Sequence, residues 1–252
     1  MGVDATTLEA NAAMKSIVRR DTGEDWQEYV RRLMQEAGQI EPGDEPSAEE
    51  IARFDRNRKD KKVSNQEWQS KTDPDSRIMK GPDGFVQAYN TQIAVDELQL
   101  IVGQAVTQET NDKRQLLPMI ATIKKQSGHT PAQLLADAGY CSDENLQAMA
   151  KTRIDTYIST RKQKHGERPG PCPRGPLPTT ATRVDRMSRK LHRKVGAAVY
   201  AARKAMVEPV FGQIKQARGF RQFLLRGLEK VQAEWSLVCT THNILKLYRL
   251  CG

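Results

Sequence analysis

Residues 83–109 of this 252-residue chain, DGFVQAYNTQIAVDELQLIVGQAVTQE, alternate apolar and polar in two runs, Phe85 to Val95 and Leu98 to Thr107, with Asp96 and Glu97 between them. A period of two sends alternate side chains to one face, so the stretch predicts a β-hairpin with a face to bury. The residues beyond Thr107 decide how that face is covered. TNDKRQLLPMIATIKKQSG reads as a helix capped near Asn111 and stopped by Gly128. AQLLADAGY reads as a buried strand ending in an acid, SDENLQAMAKTR as a helix, and IDTYIST as a last strand. Hairpin strands succeeded by alternating helices and strands predict an α/β fold, a mixed sheet flanked by helices.

Upstream, GVDATTL predicts a first strand with Asp4 near its middle. Trp26, Val30 and Leu33 then recur at helical spacing before Gly38, and Ser47 with Glu50 forms a capping-box signature. Residues 20–70 therefore predict a mostly helical, polar insertion after the first strand, within one domain over 1–252. Residues 161–183 form a basic Pro/Gly-rich loop, and the remainder predicts helices from Val184 to Lys215, broken near Gly196, and from Leu228 to Tyr248.

Charge is concentrated rather than spread. Arg161 to Lys194 holds eleven Lys/Arg against two acids, a net +9 that equals the formal excess of the whole chain. Such a segment attracts polyanions, of which a phosphate backbone is one, although a solvated linker would carry the same composition. Cys141, Cys172, Cys239 and Cys251 form no CxxC pair and have no His at zinc-finger spacing, which argues against a structural zinc site. No apolar run reaches the length of a membrane span and the N-terminus lacks signal-peptide features, so a cytoplasmic protein is expected.

Three acids stand at positions where an open α/β sheet builds sites: Asp4 on the first strand, Asp137 at the end of a later strand, and Glu208 in a late helix. Together they would suit a hard cation such as Mg²⁺ and two-ion chemistry at phosphorus. Taken singly, Asp4 and Asp137 are equally good turn residues, and Glu208 an ordinary exposed helical acid. Asp75, after Pro74, fits a turn, and Asp112, after Asn111, fits a helix cap.

The strings VDATTLEANAA, DPDSRIMKGPDGFVQAYNTQIAVD, LLADAGYCSDENL and VEPVFGQIKQARGFRQFLLRGLEKVQAEWSLVCTTHNILKL resemble the catalytic part of bacterial insertion-sequence transposases of the DDE superfamily. The resemblance spans nearly the whole chain. It implies a ribonuclease H-like fold, with Asp4, Asp137 and Glu208 as the acidic triad holding two Mg²⁺ ions, for which Mn²⁺ substitutes. It implies DNA as partner, element ends and target alike, and a homo-oligomer on that DNA at the nucleoid. Tyr200, Arg203 and Lys215 occupy places that the family fills with Tyr, Arg and Lys around the Glu. Arg218, Arg221 and Arg226 come next at a spacing suited to phosphate contacts, while Phe220, Phe223, Leu224 and Trp235 are expected in the core.

Two departures qualify the resemblance. Members carry an N-terminal helical region that recognises element ends, whereas this chain starts three residues before Asp4. A shortened first strand and weak end recognition are therefore expected, and a truncated, inactive DNA-binding remnant is the alternative to an active enzyme. The triplet after Asp4 is also Ala-Thr-Thr, where relatives often begin with Gly.

Overall fold

The computed structural model describes residues 1–59, 63–81, 84–161 and 172–251. These residues form two compact units, the first of 1–6, 90–221 and 232–252, the second of 7–89 and 222–231.

The first unit is built on a mixed sheet. Strands β1 (Gly2–Glu9) and β5 (Gly84–Val95) contribute residues 2–6 and 90–95 to it, and β6 (Ile101–Thr107), β7 (Gln133–Ala136) and β8 (Asp155–Ile158) complete it. Its strand order is β6-β5-β1-β7-β8. β1, β7 and β8 run parallel, and β5 and β6 form the antiparallel hairpin expected from their alternation. The first strand is eight residues long, with Met1 still in the ladder: its carbonyl accepts from Leu135 N at 2.9 Å. The second hairpin strand begins at Ile101 rather than Leu98, because Gln99 adopts φ 63° in the connecting turn.

One face packs on α3 (Leu116–Ser127) and α4 (Asp143–Ala150), where Val3, Ala94, Leu116, Ile123, Leu134, Ala136, Tyr140 and Leu146 make a continuous apolar cluster. Gly128 stops α3 with φ 74°, a left-handed conformation that costs a glycine little. α5 (Arg183–His192), α6 (Lys194–Gly212) and α7 (Leu228–Cys251) complete the helical set. The break between α5 and α6, expected near Gly196, falls at extended Arg193. Gly196 is instead buried where a Cβ would collide with the Lys190 carbonyl, so its role is close packing. Trp235 is fully buried, its indole N–H 3.4 Å from the Gln92 carbonyl.

Pro209 lies inside α6 and cannot donate to the Ala205 carbonyl four residues earlier. That carbonyl accepts from the Gln99 side-chain amide at 2.9 Å instead. A π-helical turn, Gln213–Ala217, continues directly from α6.

The second unit contains α1 (Trp26–Glu36) and α2 (Ala48–Asn57), whose capping boxes at Asp25 and Ser47 are both formed. The insertion is less purely helical than its polarity suggests. It also holds a two-stranded antiparallel sheet of β2 (Ile17–Arg19) and β3 (Trp68–Ser70), strands too short to show a period. β4 (Arg77–Gly81), unexpected from the sequence pattern, pairs antiparallel with the start of β5. Buried Asp73 accepts from the Tyr89 hydroxyl at 2.8 and 2.9 Å and from Gly227 N at 3.1 Å. Asp75 accepts from Leu228 N at 2.9 Å and so caps α7, a tertiary role beyond the local turn expected of it. Leu224, expected in the core, is 75% exposed, whereas neighbouring Phe223 is buried edge-on against Tyr89.

Candidate functional site

The site is set by register. Val3 pairs with Ala136 across parallel β1 and β7, so Asp4 and Asp137 occupy the next step on neighbouring strands, which run about 4.8 Å apart in a sheet. Val3 and Ala136 point into the apolar cluster. Asp4, one residue on, points the other way, towards α6.

There Arg203 Nη1 donates to Asp4 Oδ2 at 2.8 Å, and Ala5 N donates to Oδ1 at 2.9 Å. Asp137 begins a 3₁₀ turn, accepting from Gly139 N at 2.8 Å through Oδ1. Burial pushes both carboxyls above the ordinary carboxylate value. Arg203 opposes this at Asp4, and the Gly139 amide and then Arg203 oppose it at Asp137. Each carboxylate also raises a neighbour's pKa: Asp137 acts on Asp4, and Asp112 on Asp137.

Lys215, in the π-helical turn, donates to Thr6 Oγ1 at 2.9 Å. Thr6 lies two residues from Asp4 and shares its strand face. Arg203 and Lys215 therefore reach the same side of β1 from opposite ends of one helical segment. The guanidinium of Arg203 also lies 5.9 Å from the Tyr200 ring centroid, and burial pushes the Tyr200 hydroxyl up.

Glu208 is placed differently. It is exposed on α6, one residue past Val207, which packs against Gly2. That single step turns it roughly 100° away around the helix. Among the described residues, no three acidic, His or Cys side chains stand close enough together to hold a metal ion. Arg218, Arg221 and Arg226 are exposed, bonded respectively to Thr241, Gln216 and Asn11, the last pair within the second unit. Part of the basic loop, residues 162–171, lies outside the described residues.

Asp112 has an environment that its sequence neighbours do not reveal. Its Oδ1 accepts from Asn90 Nδ2 and Gln92 Nε2, both at 2.8 Å, and the Tyr140 hydroxyl donates to Gln92 Oε1. Its carboxylate thus caps no helix. The sequence signal was present in β5, where Asn90, Thr91 and Gln92 interrupt an apolar strand and are all buried.

A mixed sheet of this order flanked by helices is compatible with a ribonuclease H-like fold. The family model described as "Transposase DDE domain" matches residues 52–244, and the chain belongs to that family. The match includes Asp137 and Glu208 and begins after Asp4. No curated protein and no solved structure matches the chain.

The family implies divalent cations, and the donor set fits them in kind. Carboxylate oxygens are the ligands hard cations take. The Arg203 guanidinium already sits as a positive charge on Asp4, and Gly139 leaves open the space between two further carboxylates. A Cβ there would stand 2.8 Å from Asp112 Oδ2 and 3.0 Å from Asp137 Oδ1.

Proposed function

We propose that this chain is the catalytic domain of a DNA transposase that cleaves phosphodiester bonds and transfers the resulting strand in a metal-dependent way. The observation that carries this reading is the juxtaposition of half-buried Asp4, on β1, and Asp137, one residue past the end of the adjacent parallel strand β7. Bound Mg²⁺ or Mn²⁺ would supply activation of the attacking oxygen and stabilisation of the leaving oxygen at phosphorus. Asp4, Asp137 and Glu208 are the residues that would hold it, Glu208 by a side-chain movement from its exposed position.

The chain's own groups position the DNA. Arg203 would exchange its Asp4 partner for a backbone phosphate, Lys215 would meet the next phosphate, and Tyr200 would stack on a displaced base. Exposed Arg218 and Arg221, and Arg226 in the second unit, would each add a phosphate contact. Water attacks phosphorus and the P–O3′ bond breaks to leave a 3′-hydroxyl. That hydroxyl then attacks a target phosphodiester, forming one P–O bond as another breaks. No covalent protein intermediate is needed for this chemistry. A homo-oligomer on DNA at the nucleoid, and one catalytic domain over 1–252, belong to the same proposal.

The exposure of Glu208 and the lack of three converging acids among the described residues favour a second reading, a DNA-binding form without catalysis. Nicking of supercoiled plasmid by the purified chain separates the two. The first reading expects nicking that requires Mg²⁺ or Mn²⁺, stops with a chelator and is lost in Asp137→Asn. Salt-sensitive DNA binding with no metal-dependent nicking would overturn it in favour of the second.

A further inference from the structure

We propose that Asp112 is a fourth carboxylate of the site, supplying its Oδ2 to the divalent cation that Asp137 holds. The proposal rests on the metal-dependent reading above and adds a residue outside the Asp4, Asp137 and Glu208 set.

The geometry comes from three elements of the first unit. On β5, Asn90 and Gln92 share a face two residues apart and direct both side-chain amides at the same oxygen, Asp112 Oδ1. Gln92 Nε2 also bonds Asn90 Oδ1 at 3.0 Å, and Tyr140 holds the far end of the Gln92 amide. The clamp holds Asp112 through Oδ1 and leaves Oδ2 beside Gly139. Among the described residues no hydrogen bond reaches Oδ2. On the third element, the turn after β7, Gly139 separates Oδ2 from Asp137 Oδ1. Both oxygens lie within 3.0 Å of the point a Cβ would occupy there. Gly139 does not have a positive φ. An Ala would be free of backbone strain at this position, so the missing Cβ matters for the space between the carboxylates.

A carboxylate bonded through one oxygen keeps the other available to a cation. This one concentrates the amide donors on one oxygen and leaves the other beside a second acid. Two negative charges so placed repel each other, and that repulsion is relieved when a cation lies between them. Glu208, by contrast, is exposed on α6, so Asp112 is better placed than Glu208 to share a cation with Asp137 before DNA arrives.

The test is Mn²⁺ affinity of the full chain without DNA, read from the free-ion electron paramagnetic resonance signal. Wild type is compared with Asp112→Asn, Asp137→Asn, Gly139→Ala and, as a carboxylate outside the site, Asp143→Asn. Asp112→Asn retains an oxygen for the Asn90 and Gln92 amides, so the clamp survives while the anionic donor is lost. We expect Asp112→Asn and Asp137→Asn each to bind Mn²⁺ at least about tenfold more weakly, the scale on which supporting groups act at metal sites. Gly139→Ala, with Asp112 still present, should weaken binding in the same direction, and Asp143→Asn should match wild type. Loss of affinity in Asp137→Asn but not in Asp112→Asn or Gly139→Ala would overturn the proposal and leave the metal reading intact. Failure of wild type to bind Mn²⁺ at all would overturn both.

Discussion

Arg203 Nη1 and Asp4 Oδ2 meet at 2.8 Å, with side chains only 11% and 17% exposed, and among the described residues buried Arg203 Nε has no hydrogen-bond partner. The first acid of the site is thus already paired with a cation that the protein itself supplies. A charge pair this well buried is held by more than its Coulomb term, because removing either partner leaves the other desolvated.

This pairing predicts competition. Arg203→Gln removes the resident positive charge and is expected to tighten Mn²⁺ binding about fivefold or more in the absence of DNA. That corresponds to ~1 kcal/mol, a modest charge interaction at the effective dielectric of a protein site. The same variant should bind DNA more weakly. Titration of Mn²⁺ and of duplex DNA against wild type and variant reads both; unchanged Mn²⁺ affinity would contradict the exchange.

The acids also predict a pH dependence of stability. Burial raises Asp137 above the ordinary carboxyl value of 3.8, so the folded chain holds this proton where the unfolded chain has released it. Ionisation therefore costs stability, which declines as pH rises from about that ordinary value through the raised one. Asp137→Asn keeps an acceptor for Gly139 N and cannot ionise. Its Tm in metal-free buffer should exceed wild type at pH 7, with the difference shrinking as pH falls towards the ordinary carboxyl range. A Tm at or below wild type at pH 7 would count against the raised carboxyl.

Within the second unit, Asp73 depends on Tyr89 for two of its hydrogen bonds, at 2.8 and 2.9 Å. Tyr89→Phe preserves ring packing on Phe223 and leaves a buried carboxylate short of donors, at a cost of about 1–3 kcal/mol. Urea unfolding measures it. A change within error of zero would mean that water or a shifted backbone amide replaces the hydroxyl.

Gln99 offers a third stability test. Its side-chain amide satisfies the Ala205 carbonyl that Pro209 leaves without a helical partner, while Lys246 Nζ donates to its Oε1 at 3.0 Å. Gln99→Ala should cost about 0.5–1.5 kcal/mol, the net worth of an accessible hydrogen bond. The loss should appear as faster hydrogen exchange in the second half of α6, and unchanged exchange there would refute the bracing role.

Much of this arrangement was legible in the sequence because it is written in local periods. The β5–β6 hairpin, α3 ending at Gly128, and the capping boxes of α1 and α2 all derive from side-chain spacing and turn chemistry. β2 and β3, at three residues each, have no period to read, and β4 carries a charged Lys80 within five residues. Asp4 and Asp137 were legible as acids at strand positions where sites form. Asp112 and Asp75 were not, since the partners that define them, Asn90 and Gln92 for one and Leu228 N for the other, are distant in sequence. A local reading returns a cap and a turn for any Asp in such company. Whether Glu208 faces solvent or the acids depends on how α6 is rotated against β1, which its own residues do not specify.

Glu208 is therefore where the central claim is most exposed to test. The measurement is the rate at which supercoiled plasmid is nicked in Mn²⁺ by wild type and by Glu208→Gln, at equal DNA occupancy confirmed by a binding assay. A catalytic Glu208 predicts nicking by wild type that falls by about a hundredfold or more in the variant, the loss expected when a group acting on the transition state is removed. Equal nicking by the two proteins would contradict it and remove Glu208 from the site.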